Sequence, residues 1–232
     1  LQRDVIASED RYEFHPAVAM LHAFASDDLG SFYLDILKDR LYTTKAAGLA
    51  RRSAQTALWH ITAAYLRLMA PVLSFTAEEA FAIFSPSKSG TIFTETHHRL
   101  PEIPDEAELL ARWSLIREAR SAVQKTVEDL RGTGAIGSSL QAEVTITASG
   151  SAYEALASLG DELKFVMVTS EARLERGADG EALSCKAVAS DSRKCARCWH
   201  YEADVGSVAE HPDLCPRCVL NLFGQGEARR KA

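Results

Sequence analysis

The 232-residue chain has no run of eighteen apolar residues, which excludes a membrane-spanning helix. It opens Leu1-Gln2-Arg3-Asp4, with neither a methionine nor an apolar leader, and so reads as a stretch of a longer or processed protein. It has no internal repeat and no low-complexity tract. Cysteines are few, five in all, and nothing indicates export, so a disulfide framework is not expected and the cytoplasm is the expected compartment. Acid is missing locally. From Arg40 to Ala77 there is no Asp or Glu, yet Arg40, Lys45, Arg51, Arg52 and Arg67 fall there. The whole chain is nevertheless acidic, net -6, which alone argues against strong nucleic-acid binding. From Cys185 to Ala232, eight basic residues against six acidic ones leave a net +2. Two separated basic zones on an acidic chain suit a long anionic ligand.

Four of the five cysteines form two Cys-x-x-Cys pairs, Cys195/Cys198 and Cys215/Cys218, with sixteen residues between them. Two residues between thiols make a tight turn that aims both sulfurs at one metal, and the arm is long enough to return the second pair opposite the first. Four thiolates fill a tetrahedron around one structural Zn²⁺ and leave no open position for a reacting water. A single redox Cys-x-x-Cys in a βαβ setting would look different. Cys185 lies in an alternating segment and reads as a packing thiol. His200 and His211 flank the cysteines and read as outer or surface residues.

The fold class expected is multidomain and mainly α. Periodic apolar residues predict a helix from about Phe14, and Asp27-Asp28-Leu29-Gly30 predicts a break. A second helix ends near Tyr42, and a third runs from about Ala50 to Ala70. Pro71 stops it, and a fourth helix is capped by Ser74 or Thr76 with Glu78 and Glu79 in its first turn. Ser85–Gly90 reads as a loop and Thr91–Thr96 as a short extended piece. Asp105 begins a long helix reaching about Arg131. Strands are expected at Ala142–Thr147, Leu163–Val168 and Glu181–Ala189, with a helix over Ser151–Leu159. Gly224–Ala232 reads as a mobile basic tail. The resulting domains are a helical bundle at 1–100, an α+β domain beginning with a long helix at 101–184, and a four-cysteine zinc-finger module with its tail at 185–232.

Several stretches, in order, resemble bacterial isoleucyl-tRNA synthetases. They are Phe32-Tyr33-Leu34-Asp35-Ile36-Leu37-Lys38-Asp39-Arg40-Leu41-Tyr42, Arg51-Arg52-Ser53-Ala54-Gln55-Thr56-Ala57-Leu58, Ala70 through Glu79, Ile136 through Ala142, and the knuckle from Lys194 to Tyr201. The helical stretches are shared with the valine, leucine and methionine enzymes; the knuckle followed by Trp-His-Tyr looks specific to isoleucine. The resemblance implies an anticodon-binding bundle, a junction domain and a zinc module over the anticodon loop of tRNA(Ile). It also implies that ATP-dependent attachment of isoleucine occurs elsewhere, because the family's two ATP-site motifs and its editing domain are not in this chain. A monomer that touches no membrane is expected.

The residues agree with recognition rather than reaction, since no carboxylate pair stands beside a nucleophile. Lys45, Arg51 and Arg52 from the first basic zone, and Lys194, Arg197, Trp199 and Arg217 from the zinc module, are the expected RNA contacts. For the Trp199 indole, packing of the small zinc core stands as an equal alternative, and for Arg51 and Arg52 the alternative is ion pairing with Asp35 or Asp39. Trp59 and Trp113 read as core, and His97-His98 as a solvated loop pair. Two other classes compete. A DNA-repair glycosylase carries a similar terminal finger but needs an N-terminal Pro-Glu, where this chain has Leu1-Gln2. A purely structural zinc module would have no RNA affinity.

Overall fold

A computed structural model describes residues 1–85 and 90–231. Residues 86–89, most of the loop expected at Ser85–Gly90, lie outside the described residues, as does 232. The chain forms two units, Leu1–Asp35 with Arg52–Glu102, and Ile36–Arg51 with Ile103–Ala232. The segment 36–51 thus belongs with the thiol-bearing half.

The first unit is helical. Helix α1 (Gln2–Asp10) precedes the first periodic stretch evident in the sequence; Val5 and Ile6 are its only large apolar residues, too few to set a period. Val5 is fully buried against Ala17 and Leu21 of α2 (Phe14–Ala23) and Leu68 of α4 (Leu49–Met69). Tyr65 packs there and donates to the Leu21 carbonyl at 3.1 Å. The break expected at Asp27–Gly30 does not occur. Phe24–Tyr33 is a π-helical stretch leading into α3 (Leu34–Thr43), and Leu34 N–H donates five residues back to Leu29. The Ser31 hydroxyl donates to the carbonyls of Ser26 and Asp27 at 3.0 Å each, so the polar run widens the helix instead of ending it.

Helix α5 (Ser74–Phe84) is not capped by a side chain as expected. Ser74 lies inside its first turn and donates back to the Ala70 carbonyl at 3.0 Å. Glu78 sits beyond the first turn. Its carboxylate accepts from Thr91 Oγ1 and Ile92 N–H, both at 2.9 Å, and this curls Ile92–Thr94 into a 3-10 turn rather than an extended piece. Ile92 then packs on Leu66, Ala77 and Phe81.

The second unit contains a three-stranded sheet in the order β2-β1-β3. Strand β1 (Ala142–Ala148) alternates buried and half-buried residues, in line with its sequence. It pairs antiparallel with β3 (Ser184–Ala189) and parallel with β2 (Glu171–Arg176). The parallel pair is joined through α7 (Gly150–Ala157) and α8 (Leu163–Met167), and α6 (Glu106–Gly132) packs on α7 and β3. The strand expected at Leu163–Val168 is instead the short helix α8. Leu163, Phe165, Val166 and Met167 are all buried, and so short a stretch, broken only by Lys164, carries too little period to separate helix from strand. The true second strand, Glu171–Arg176, is too charged to read as one. Buried Arg120 of α6 donates to the Val166 carbonyl at 2.9 Å and fixes α8 in place.

Candidate metal centre and nucleic-acid interface

A short hairpin, β4 (Arg193–Lys194) with β5 (Tyr201–Glu202), carries the first cysteine pair in its turn. Cys195 N–H donates to the His200 carbonyl at 2.8 Å, and Trp199 N–H donates back to the Cys195 carbonyl at 3.0 Å. Closing that knuckle puts Trp199 in the left-handed region, φ 67°. The second pair starts α9 (Pro216–Phe223). Cys215 precedes the helix, Pro216 takes the first position, where a missing N–H costs nothing, and Cys218 follows in the first turn. The arm between the pairs is drawn in by Arg193, which donates to the carbonyls of Val205 and Pro212 at 3.3 and 3.4 Å. Gly206, φ 84°, lets the arm pass so closely that a Cβ would sit 2.6 Å from the Pro212 carbonyl oxygen.

The outcome is four buried sulfurs, from Cys195, Cys198, Cys215 and Cys218, all within 4.8 Å of one another. Cys198 and Cys215 stand 3.8 Å apart, far beyond a disulfide bond and close to the edge, about 3.8 Å, of a tetrahedron with metal–sulfur bonds of about 2.3 Å. The Cys215 N–H points at Cys195 Sγ, 3.3 Å away, a donor suited to a thiolate. Crowded together, three of these thiols perturb one another. Hydrogen bonds from Cys215 and Cys218 pull the Cys198 thiol far down, while the Cys198 partner and burial push Cys215 up and Cys218 up to about 12. A divalent cation at the centre removes that conflict, so the donor set fits Zn²⁺. Cys185 is half-buried on β3, where burial raises its thiol, and stands apart from this cluster. His200 is fully buried with its ring edge-on to Phe165 at 5.6 Å, not at the surface; His211 stacks flat on Phe223, 4.3 Å between centroids.

Three of the six expected RNA-contacting cations, Lys45, Arg197 and Arg217, turn inward. Arg217 forms a fork on Asp39 of α3, Nη1 to Oδ2 at 2.8 Å and Nη2 to Oδ1 at 2.9 Å, and its Nη1 also reaches Glu227 at 3.2 Å. Arg229, only 1% exposed at its side chain, also pairs with Asp39. Both guanidinium groups lie over the Phe165 ring, at 4.8 and 3.8 Å. Burial would raise the Asp39 carboxyl, but the hydrogen bond and charge of Arg217, with Arg229, hold it at about 2. The segment expected as a mobile tail is therefore pinned: besides Arg229, the N–H groups of Arg230 and Lys231 donate to Glu162 at 2.7 and 2.8 Å. Arg197 donates to the carbonyls of Thr43 and Tyr42 at 2.5 and 3.3 Å and lies 3.8 Å from Cys218 Sγ. Lys45 Nζ donates to the Gly224 carbonyl at 2.8 Å.

Other expected contacts face outward. Lys194 is exposed, and its ammonium stands 5.5 Å over the ring of Trp199, which is 60% exposed. Arg52 is exposed and Arg51 half-exposed. Trp59 is not core, as its sequence context implies; it is 44% exposed and stacks on Phe84. Of the pair expected as a solvated loop, His97 is exposed, whereas His98 is half-buried with its Nε2 2.9 Å from His60 Nδ1. Asp39, Glu227 and Phe165, which organise the cations around the cluster, carry no local sequence signal; they are distant in the chain and meet only through folding.

Comparison with known proteins agrees with these features. Residues 1–146 match the family described as the anticodon-binding domain of tRNA ligase, and residues 192–221 match the zinc finger found in FPG and IleRS. Along its whole length the chain is 60% identical to isoleucine–tRNA ligase of Paraburkholderia phytofirmans, 57% to that of a Janthinobacterium strain and 54% to that of Burkholderia cenocepacia. It spans 24% of the length of each of these relatives. With a family model across more than half of its residues, and a thiol cluster where the finger match falls, the chain belongs to the anticodon-binding family of tRNA ligases.

Proposed function

We propose that the chain is the tRNA-recognising part of an isoleucine–tRNA ligase, and that it binds the anticodon stem-loop of tRNA(Ile). The observation that carries this reading is Trp199, an indole held open to solvent on a thiol knuckle with the Lys194 ammonium beside it. Unpaired bases of an RNA loop are recognised by stacking on such rings, with cations taking the adjoining phosphates. One zinc ion on Cys195, Cys198, Cys215 and Cys218 has a structural role: it makes the knuckle rigid. Around it the chain's own residues divide the work. Trp199, Lys194, Arg51 and Arg52 meet the RNA, and Lys45, Arg197 and Arg217 hold the surface from behind. Activation of isoleucine by ATP and its transfer to tRNA belong to the remainder of the whole protein, which acts as a cytoplasmic monomer. The helical bundle (1–100), junction (101–184) and zinc module (185–232) serve as its recognition modules.

Filter binding with a tRNA(Ile) transcript tests the reading. Binding should need neither ATP nor isoleucine, and should fall when the anticodon loop is scrambled. Equal affinity for both transcripts, unchanged by Trp199→Ala, would overturn it.

A further inference from the structure

On the exposed side of α4, Arg52, Gln55, Thr56 and Trp59 recur at three- and four-residue spacing and so share one face. Together they line an open cleft of about 290 Å³. Its wall is the indole of Trp59, and the support behind that ring is extensive. Phe84 stacks at 5.9 Å and 30°, and His60 and His98 meet the indole edge-on at 5.0 and 5.4 Å. The histidines are joined to one another at 2.9 Å, and the His98 carbonyl accepts from Gln2 at 2.9 Å. A large aromatic left 44% exposed, yet fixed on its other sides, is a preorganised stacking surface.

The rim is polar rather than aliphatic. Gln55 is exposed and offers an amide with both donor and acceptor capacity. The Thr56 hydroxyl donates to the Arg52 carbonyl at 3.0 Å, which orients that side chain against its own helix. Arg52 contributes a cation, and α4 carries no carboxylate to neutralise it. A planar ligand with an amide-like edge and an adjoining negative charge matches this set; an apolar peptide face does not.

We propose that this cleft takes one unpaired nucleobase of the tRNA anticodon loop, stacked on Trp59, with its edge read by Gln55 and its phosphate met by Arg52. The inference rests on the tRNA-binding reading above and adds a second base-reading position, on the helical unit, independent of the zinc module.

The test uses the zinc-loaded 232-residue chain labelled with 5-fluorotryptophan, its three resonances assigned by Trp→Phe variants. An anticodon stem-loop of tRNA(Ile) is titrated in, then a series with one abasic nucleotide at each loop position. The Trp59 resonance should shift with the intact loop and stay unmoved for one abasic position. Trp59→Ala should weaken binding roughly five- to 150-fold, the range for loss of one base stack. Because Trp59→Ala also removes support for the histidines, Gln55→Ala serves as the fold-neutral variant. It should weaken the intact loop while leaving the diagnostic abasic loop unaffected. Stem-loop binding with an unmoved Trp59 resonance and no effect of Gln55→Ala would overturn the cleft and leave the tRNA reading standing. No stem-loop binding at all would overturn both. An equal shift and an equal Gln55→Ala effect with a scrambled loop would overturn base reading at this position.

Discussion

The cations of the two units face different things. In the thiol-bearing unit, Arg217 and Arg229 converge on Asp39, Arg197 reaches two backbone carbonyls, and Lys45 caps the end of α9. In the helical unit, Arg52 stands exposed on a helix without a carboxylate. A count of basic residues treats both sets alike. The difference teaches that a small module with little apolar core takes several of its charges inward to complete itself, whereas a helix held by apolar burial can leave one outside. Exposed Lys194 on the knuckle and Arg67 of α4, paired with Glu95, mark where each unit departs from that pattern. The core of the helical unit is Leu66, Phe81, Ile92, Leu21 and Leu68. The core of the finger is four cysteines and Val205, with Leu214 beside them.

The largest effect expected from breaking that contrast is metal removal. Structural zinc in small fingers contributes on the order of 10–16 kcal/mol, and the apolar set around the cysteines is too small to replace it. Chelation, or Cys198→Ser, should therefore abolish amide protection across 192–221 while α4 and α5 keep theirs. Elemental analysis should find about one zinc per chain beforehand, as a four-thiolate site requires. Loss of protection in both units together would show that the apolar core of the helical unit does not stand by itself.

Next comes Asp39. Asp39→Ala leaves Arg217 and Arg229 mostly buried without their shared carboxylate, a loss of about 3–5 kcal/mol by analogy with broken buried pairs. Urea melts of the zinc-loaded protein should report it. The pH dependence has a definite sign. Asp39 is held at about 2, below its ordinary 3.8, so its contribution is present above about pH 4 and lost as pH falls toward 2. The difference between the native chain and Asp39→Ala should then be flat from about pH 8 to 5. A slope in that window would mean that another group governs the clamp.

What can be read from the sequence follows the range of each interaction. The four thiols are legible because Cys-x-x-Cys is a local turn, and the alternation of β1 and the long α6 are legible because their periods are local. Helix α8 reads as a strand because so short a stretch carries too little period, and α1 escapes notice because it has too few large apolar residues. The π-helical stretch hides behind residues that usually end helices. The inward arginines leave no trace in the sequence, since Arg217 and Asp39 are 178 positions apart and neither has a local reason to be buried. Trp59 reads as core because its helix is amphipathic around it; its exposure follows from where Phe84 and His98 arrive.

Smaller than the Asp39 loss, and specific to binding, is Trp199→Ala. If the indole stacks on a base, its removal should weaken the tRNA(Ile) stem-loop by about 1–3 kcal/mol and leave urea stability of the zinc-loaded chain unchanged, because the ring is exposed. The loss should shrink for a loop whose anticodon is already wrong.

The smallest expected effect separates the two kinds of cation most sharply. Arg52→Ala should leave stability within about 0.5 kcal/mol, as for an exposed residue outside any buried network. It should lower the slope of log K against log salt by about one ion, the signature of one lost phosphate contact. Arg197→Ala should do the reverse. Its guanidinium holds the backbone of Tyr42 and Thr43, so the variant should lose stability, and its salt slope should stay near that of the native chain. Measuring both variants with intact and scrambled loops gives an internal control, because a phosphate contact weakens every RNA alike whereas a loosened zinc module weakens the matched loop most. A full one-ion change in salt slope for Arg197→Ala with no stability loss would place that arginine on the RNA, and the contrast between inward and outward cations would fail where it is most explicit.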